Sequence, residues 1–300
     1  AIVSLNRPKK LNAINFEMIL ELKELTNRIS QNDTIKCLII RGEGKAFCSG
    51  ADLTSGEKKW KDTEDSLNNG YLPIFQNIIS MPKPVISSVR GAAAGIGSAY
   101  SICCDLTIMS ENSYLLQPFS NIGLIPDGGS HWLLYKILGY KRAFQIAIES
   151  EKIFAEECLR LGLANKVVKD EILDSETINW AKKIIKQSSQ SMMYTKKIMR
   201  DIDNKSFLEI YKIESEIQKK LSGTPDNIEG VKAFLEKRSP KFNWFLMKKT
   251  LLAGLISKKN KYEIKKIDVP KMFEGSALVK VKVCGICGTC LLYTSDAADE

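Results

Sequence analysis

Val85-Ile86-Ser87-Ser88-Val89-Arg90-Gly91-Ala92-Ala93-Ala94-Gly95-Ile96-Gly97 is the stretch on which the reading of this chain turns. Its first five residues read as a buried strand. Gly91 to Gly97 follows as a small-residue loop that opens a helix running to about Cys103. Leu106-Thr107-Ile108-Met109 is then a further strand. Strand, glycine loop, helix, strand is the rhythm of an α/β core with repeated βα units.

The same rhythm extends toward the N-terminus. Cys37-Leu38-Ile39-Ile40 is a buried strand, and the glycine-marked loop Arg41-Gly42-Glu43-Gly44-Lys45 follows it. Ahead of it, Asn15 begins a helical pattern with Met18, Leu22, Leu25 and Ile29 on one face and Glu17 in the first turn, where the helix dipole favours an acid. A polar stretch from Lys58 to Asn69 leads into an apolar helix around Tyr71 to Ile79, stopped by Met81-Pro82-Lys83-Pro84. Beyond Gly129 the chain reads mostly helical. Ile178, Ala181, Ile184 and Ile185 mark one helix, and Leu208 to Leu221 another.

Bulk composition narrows the function. The chain has 300 residues, 44% hydrophobic and 26% charged, the balance of a globular protein with ample core. Its net charge of +9 suits an acidic partner such as a phosphorylated small molecule. The lysines are scattered along helices, as on solvated faces, and no basic stretch is interleaved with aromatics. A nucleic-acid partner is therefore not expected. No apolar run would span a bilayer and no signal peptide is visible, so a cytoplasmic location away from membranes is expected. The chain opens at Ala1 directly into a strand pattern, as if residues before it were missing. Cys37, Cys48, Cys103, Cys104 and Cys158 sit in apolar contexts, as reduced core cysteines do. The single histidine, His131, makes zinc hydrolysis and Ser-His-Asp chemistry poor matches.

Two loops carry candidate chemistry. Lys45-Ala46-Phe47-Cys48-Ser49-Gly50-Ala51-Asp52-Leu53 and Arg90 to Gly97 both follow strands and lead toward helices. Small residues in such turns let backbone N–H groups approach a ligand, and a helix N-terminus directs unpaired N–H groups at an anion. Two converging turns of this kind make an oxyanion hole, in which one lost donor costs about 10²–10³ in rate. Either loop alone is no more than a tight βα connection.

Several segments, in order, resemble the crotonase (enoyl-CoA hydratase/isomerase) superfamily. They are Leu5-Asn6-Arg7-Pro8-Lys9-Lys10-Leu11-Asn12-Ala13, Ala46 to Leu53, Pro82-Lys83-Pro84 with Val89-Arg90-Gly91, Cys104-Asp105, Gly123-Leu124-Ile125-Pro126-Asp127-Gly128-Gly129, and Glu229 to Arg238. The resemblance covers residues 1–244 and implies an α/β spiral of ββα repeats with a C-terminal helical region. It implies acyl-CoA thioester substrates, no cofactor beyond the coenzyme A of the substrate, no metal, and a homotrimer or dimer of trimers. It assigns the two oxyanion-hole amides to Ala51 and Ile96. It lines the coenzyme A site with Lys9, Leu11, Ala13, Ser49, Gly50, Asp52 and Leu53; Lys9 and Lys10 read equally well as plain surface lysines.

Hydratases of the family place two glutamates around a water. Those positions match Ala99 and Phe119 here, and neither side chain moves a proton. Asp127 matches the acidic position of enoyl-CoA isomerases, including those of the phenylacetate pathway. One carboxylate can remove a proton from C2 and return it at C4. Asp127 reads equally as a turn residue or cap for the helix beginning near Trp132. Glu111 and Glu149 are weaker candidates. The expectation is an acyl-CoA double-bond isomerase. The alternatives are an enoyl-CoA hydratase of β-oxidation, or a non-catalytic acyl-CoA- or RNA-binding relative.

The tail, residues 245–300, reads differently. Lys280-Val281-Lys282-Val283-Cys284-Gly285-Ile286-Cys287-Gly288-Thr289 resembles the start of a zinc-dependent medium-chain alcohol dehydrogenase. Cys290 stands where that family has Asp, and the fourth ligand a structural zinc needs is missing. A truncated, unrelated fragment with an artefactual end is expected.

Overall fold

The computed structural model describes residues 1–54 and 60–242, together with the backbone of 250–258 and 261–268. Contacts divide the chain into two units, Ala1–Trp244 and Phe245–Glu300.

In the first unit, β1 (Ile2–Leu5) precedes helix α1 (Phe16–Gln31) and β2 (Leu38–Gly42). A single turn, α2 (Thr63–Asp65), passes through the π-helical segment Ser66–Tyr71 into α3 (Leu72–Ser80). Next come β3 (Val85–Val89), β4 (Ala92–Ala94) and α4 (Ile96–Cys103). Strands β5 (Leu106–Ser110) and β6 (Tyr114–Leu116) lead to α5 (Ser130–Glu149). Then follow β7 (Lys152–Phe154), α6 (Ala155–Arg160), β8 (Lys166–Val168) and α7 (Leu173–Ile184). Three helices complete the unit: α8 (Ser189–Asp201), α9 (Phe207–Leu221) and α10 (Pro225–Leu235).

The main sheet is five-stranded in the order β1-β2-β3-β5-β8, and every pairing is parallel. A smaller sheet has the order β4-β6-β7. In β3–β4–α4, and again in β5–β6–α5, the first strand of each repeat joins the main sheet and the second joins the smaller one. This is the ββα spiral that the sequence pointed to.

Parallel strands covered on both faces read as continuous apolar runs rather than alternating ones. Leu38 and Ile40 of β2 face the main core, whereas Ile39 turns to a second cluster with Ile86, Ile108, Leu173 and Ala181 under α7. Both faces of Cys37-Leu38-Ile39-Ile40 are thus buried, as its unbroken hydrophobicity required.

Local details depart from the sequence reading in two places. Asn15 caps α1 by accepting from the Met18 amide at 3.2 Å, but Leu25 is 38% exposed and Thr26 takes the inner position. Thr26 is tolerated there because its hydroxyl donates to the Leu22 carbonyl at 2.7 Å. Ala92–Ala94, read as loop, is a strand, because tertiary pairing with Tyr114–Leu116 overrides the weak β-propensity of alanine.

Helix α8 is pinned to the core by Asp105. Its carboxylate accepts from Lys196 at 2.7 Å, from Arg200 at 2.9 Å and from the Val85 amide at 2.9 Å. Among the described residues, no helix is long and apolar enough to cross a membrane.

The second unit contains an antiparallel hairpin of β9 (Thr250–Lys258) and β10 (Lys261–Asp268). The dehydrogenase-like Lys280–Thr289 segment, its cysteines and the final residues lie outside the described residues.

Candidate active site

The site begins with two loops stitched side by side. Ser49 donates its amide to the Leu11 carbonyl, Ile14 to the Gly50 carbonyl, and Asp52 back to the Ile14 carbonyl. Cys48 and Ala94 then exchange bonds across to β4: the Cys48 amide donates to Ala92, and the Ala94 amide to Cys48. Residues 11–14, 48–52 and 92–94 therefore form one short backbone ladder, far apart in sequence and adjacent in space.

Glycines set the approach. Gly50 (φ +107°) and Gly95 (φ +54°) both occupy backbone conformations that side chains disfavour. They face one another: a Cβ placed on Gly95 would lie 3.8 Å from the Gly50 Cα. Each directly precedes one of the two predicted donors. Among the described residues, neither the Ala51 nor the Ile96 amide has an acceptor. Ile96 is the first residue of α4, so its N–H belongs to the unsatisfied first turn. Gly97 seats that helix directly on Cys48, for a Cβ there would meet the Cys48 Cβ and carbonyl oxygen at 2.6 Å. The Cys48 thiol is wholly buried, and burial pushes its pKa up to about 12, so it is inert.

Asp127 lies in the turn that leads into α5. Its neighbour Gly128 (φ +60°) packs so tightly that a Cβ would lie 2.6 Å from Ile96 Cδ1, 2.9 Å from the Phe75 ring and 3.0 Å from the Ala99 Cβ. Asp127 thus adjoins a glycine that packs on Ile96, the candidate donor residue, and on Ala99. It does not serve as a helix cap: the cap of α5 is Gly129, and no side chain caps that end. Asp127 Oδ1 is buried with no hydrogen-bond partner among the described residues. Desolvation raises its pKa from 3.8 to about 6. Phe119 comes within 3.7 Å of where a Gly95 Cβ would be.

The coenzyme A candidates form the rim. Lys9 is exposed on a 3-10 turn, Leu11 is 46% exposed in the left-handed region, and Ala13 is half-buried. Ser49 hydrogen-bonds the Lys10 carbonyl through its hydroxyl, and Leu53 is 79% exposed. The Asp52 carboxylate is engaged within the protein. It bonds Thr54 and pairs with Arg7 at 2.8 Å, which together lower its pKa to about 2. Its place is to brace the loop. Asn12 does the same from within, fully buried and donating to the Glu43 and Ala46 carbonyls. Glu111 and Glu149 are exposed.

Two residues escaped the sequence reading. Tyr71 and Tyr100 are both buried, and the charge of Asp127 raises the pKa of each after the larger effect of burial. Tyr100 stacks on Phe75 with ring centroids 4.7 Å apart. Both tyrosines looked like ordinary apolar helix residues, and no spacing in the sequence marks them.

Comparison with known proteins agrees with this geometry. Residues 1–244 match the family described as enoyl-CoA hydratase/isomerase. The chain is 33% identical over 244 residues to a 1,2-epoxyphenylacetyl-CoA isomerase of Escherichia coli, covering 80% of this chain and 93% of that protein. It is 35% identical over 242 residues to a probable enoyl-CoA hydratase of Rhodobacter capsulatus, covering 81% and 93%. A crystal structure of an enoyl-CoA hydratase from Polaromonas superposes with a TM-score of 0.76 at 28% identity, covering 81% of this chain and 95% of that one. The chain belongs to the enoyl-CoA hydratase/isomerase family.

Proposed function

From that membership as premise, we propose that the chain is an acyl-CoA double-bond isomerase, converting 3-enoyl-CoA into 2-enoyl-CoA or carrying out a related ring-acyl-CoA isomerisation. The observation that carries the reading is Asp127, a carboxylate with a partnerless buried oxygen, packed through Gly128 against Ile96. In this reading the thioester carbonyl accepts hydrogen bonds from the Ala51 and Ile96 amides. Asp127 takes a proton from C2, the amides hold the enolate oxygen, and the same carboxylate returns the proton at C4. A pKa near 6 suits this task, since the group is ionised at neutral pH and basic enough to accept a proton. The proposed steps draw on no metal and no cofactor besides the coenzyme A of the substrate, whose phosphates Lys9 and the loop of Ser49 to Leu53 would face.

Hydration of 2-enoyl-CoA is the second reading, favoured by the relatives named as hydratases. It needs an oriented water as well as a base, and Ala99 and Phe119 supply no carboxylate for it. We further propose a homotrimer. The exposed apolar side chains of α9 and α10, among them Phe207, Leu208, Tyr211, Val231 and Phe234, are the surface it would cover. The five described cysteines are all unpaired and buried, which fits a reducing, cytoplasmic setting.

The test is a spectrophotometric assay with 3-enoyl-CoA and, separately, 2-enoyl-CoA, run beside Asp127→Asn. Conversion of the 3-enoyl substrate that falls about 10²–10⁴-fold in the variant supports the isomerase. Hydration of the 2-enoyl substrate that the variant leaves intact overturns it.

A further inference from the structure

One cavity lies away from the two candidate amides. Helix α4 begins at Ile96 and ends at Cys103. Its far end, with Ile102 and then Cys104, lines a cleft of about 670 Å³. Pro84, at the other end of β3 from the Arg90–Gly97 loop, lies in the same wall. Helix α5 contributes Trp132, Leu133 and Ile137, and α8 contributes Met192 and Met199. The volume falls within the range of about 300–1,000 Å³ typical of small-molecule sites. Ala51, Ile96 and Asp127 take no part in it.

The polar groups of the cleft are unevenly matched. Three cations, Lys136, Lys196 and Arg200, share its wall with two carboxylates, Asp105 and Asp203. Lys136 pairs with Asp203 at 2.9 Å. Lys196 takes Asp105 at 2.7 Å and also donates to the Ile78 and Lys83 carbonyls. Arg200 is left with less. One nitrogen, Nη2, donates to the Cys103 carbonyl and to the carboxylate that Lys196 already holds. Its Nε and Nη1 have no acceptor among the described residues, on a side chain only 23% exposed. An alkyl group covering them would strip their water and return no hydrogen bond, which is unfavourable. An ammonium would add to the excess of positive charge, and a dianion such as a phosphate would overshoot it. One carboxylate matches both the charge and the planar fork of the guanidinium. The rest of the wall is largely apolar, and its methionines adapt to a flexible chain. We propose that this cleft binds an aliphatic monocarboxylate, with the carboxylate on Arg200 and the alkyl chain among Trp132, Ile137 and Met199. The ligand is a free acid and not a thioester, and its site is separate from the one at Asp127.

The experiment titrates octanoate and 1-octanol into the full chain by calorimetry, with and without excess butyryl-CoA. It is repeated with Arg200→Lys, which keeps a charge for Asp105 but loses the fork, and with Met199→Glu, which sets an acid at an exposed position of the wall. Wild-type binding of octanoate about tenfold tighter than that of octanol, insensitive to butyryl-CoA and weakened about tenfold in each variant, supports the site. Equal binding of acid and alcohol overturns it. So does octanoate displaced by butyryl-CoA, which would put the acid in the thioester site, or octanoate binding that either variant leaves intact. Absence of octanoate binding overturns it too; if Met199→Glu then lowers the particle mass in light scattering, the cleft is a contact between copies of the chain. An unchanged urea midpoint shows that each variant is folded. Octanoate has no double bond to move, so failure of the isomerase assay and failure of this site are read separately.

Discussion

The two sides of the site are built from different materials. On one side stand the Ala51 and Ile96 amides, fixed by a backbone ladder and by glycines whose missing side chains let the loops touch. On the other stands one carboxylate, Asp127, whose position comes from packing and whose Oδ1 is left unpaired. The first side is over-determined and indifferent to side-chain identity. The second hangs on a single functional group in an apolar setting. Preorganised donors cost nothing to reorganise during reaction, whereas a desolvated carboxylate holds its charge at a cost and gains basicity from it.

That contrast can be broken most sharply by exchanging side chains on each side. Asp127→Asn is expected to lower turnover of 3-enoyl-CoA by about 10²–10⁴-fold. Ile96→Val, which keeps the amide and much of the side chain, should lower it by no more than a few fold. Steady-state kinetics of the pair settle the matter. If Ile96→Val is as damaging as Asp127→Asn, the side chain and not the amide is what the site uses.

Next in size is Gly97→Ala. The new Cβ would collide with the Cys48 carbonyl and Cβ at 2.6 Å, both on rigid backbone. Either α4 shifts off its seat or the ladder does. Overpacking of this kind costs about 1–3 kcal/mol, to be read as a lower urea midpoint, and the displaced Ile96 amide should lower activity with it. An unchanged midpoint would mean that the loops are looser than their contacts indicate.

This difference in materials also decides what could be read from sequence. The strand–loop–helix stretch from Val85 to Gly97 was legible because its devices are local: an apolar run, then small residues. The order of family-like segments then extended the fold over residues 1–244. Tyr71 and Tyr100 were not legible, since a buried tyrosine within reach of the Asp127 charge and one in plain core have the same sequence signature. Asp127 lay between these cases. Its sequence fitted a cap and a base equally; the fold removes the cap, by placing Gly129 there with no side-chain cap bond, and the base is the proposal that the assay tests. Asp52 is a different case. It lies in the expected loop, but Arg7 and Thr54 occupy its carboxylate.

The smallest expected effect concerns stability, and it tests whether Asp127 is truly desolvated. Its pKa is raised from 3.8 to about 6 on folding. Between these values the native state binds more protons than the unfolded chain. The contribution of the neutral carboxyl is therefore fully present below pH 3.8 and is lost as pH rises through about 6. At 1.36 kcal/mol per unit, the loss is on the order of 2–3 kcal/mol, an upper bound for a group that is not wholly buried. Asparagine has no charge to desolvate. The unfolding free energy of Asp127→Asn minus that of wild type should rise from about pH 4.5 to pH 8, most steeply at roughly pH 5, midway between the two pKa values, and level off above roughly pH 7. Urea titrations at pH 4.5, 6 and 8 measure it. The variant with lowered turnover would then be the more stable protein at about pH 8, as expected where a site keeps an unpaired charge for its chemistry. A difference that stays flat across the three pH values would place Asp127 in water, with ordinary acidity, and would remove the reason for its strength as a base.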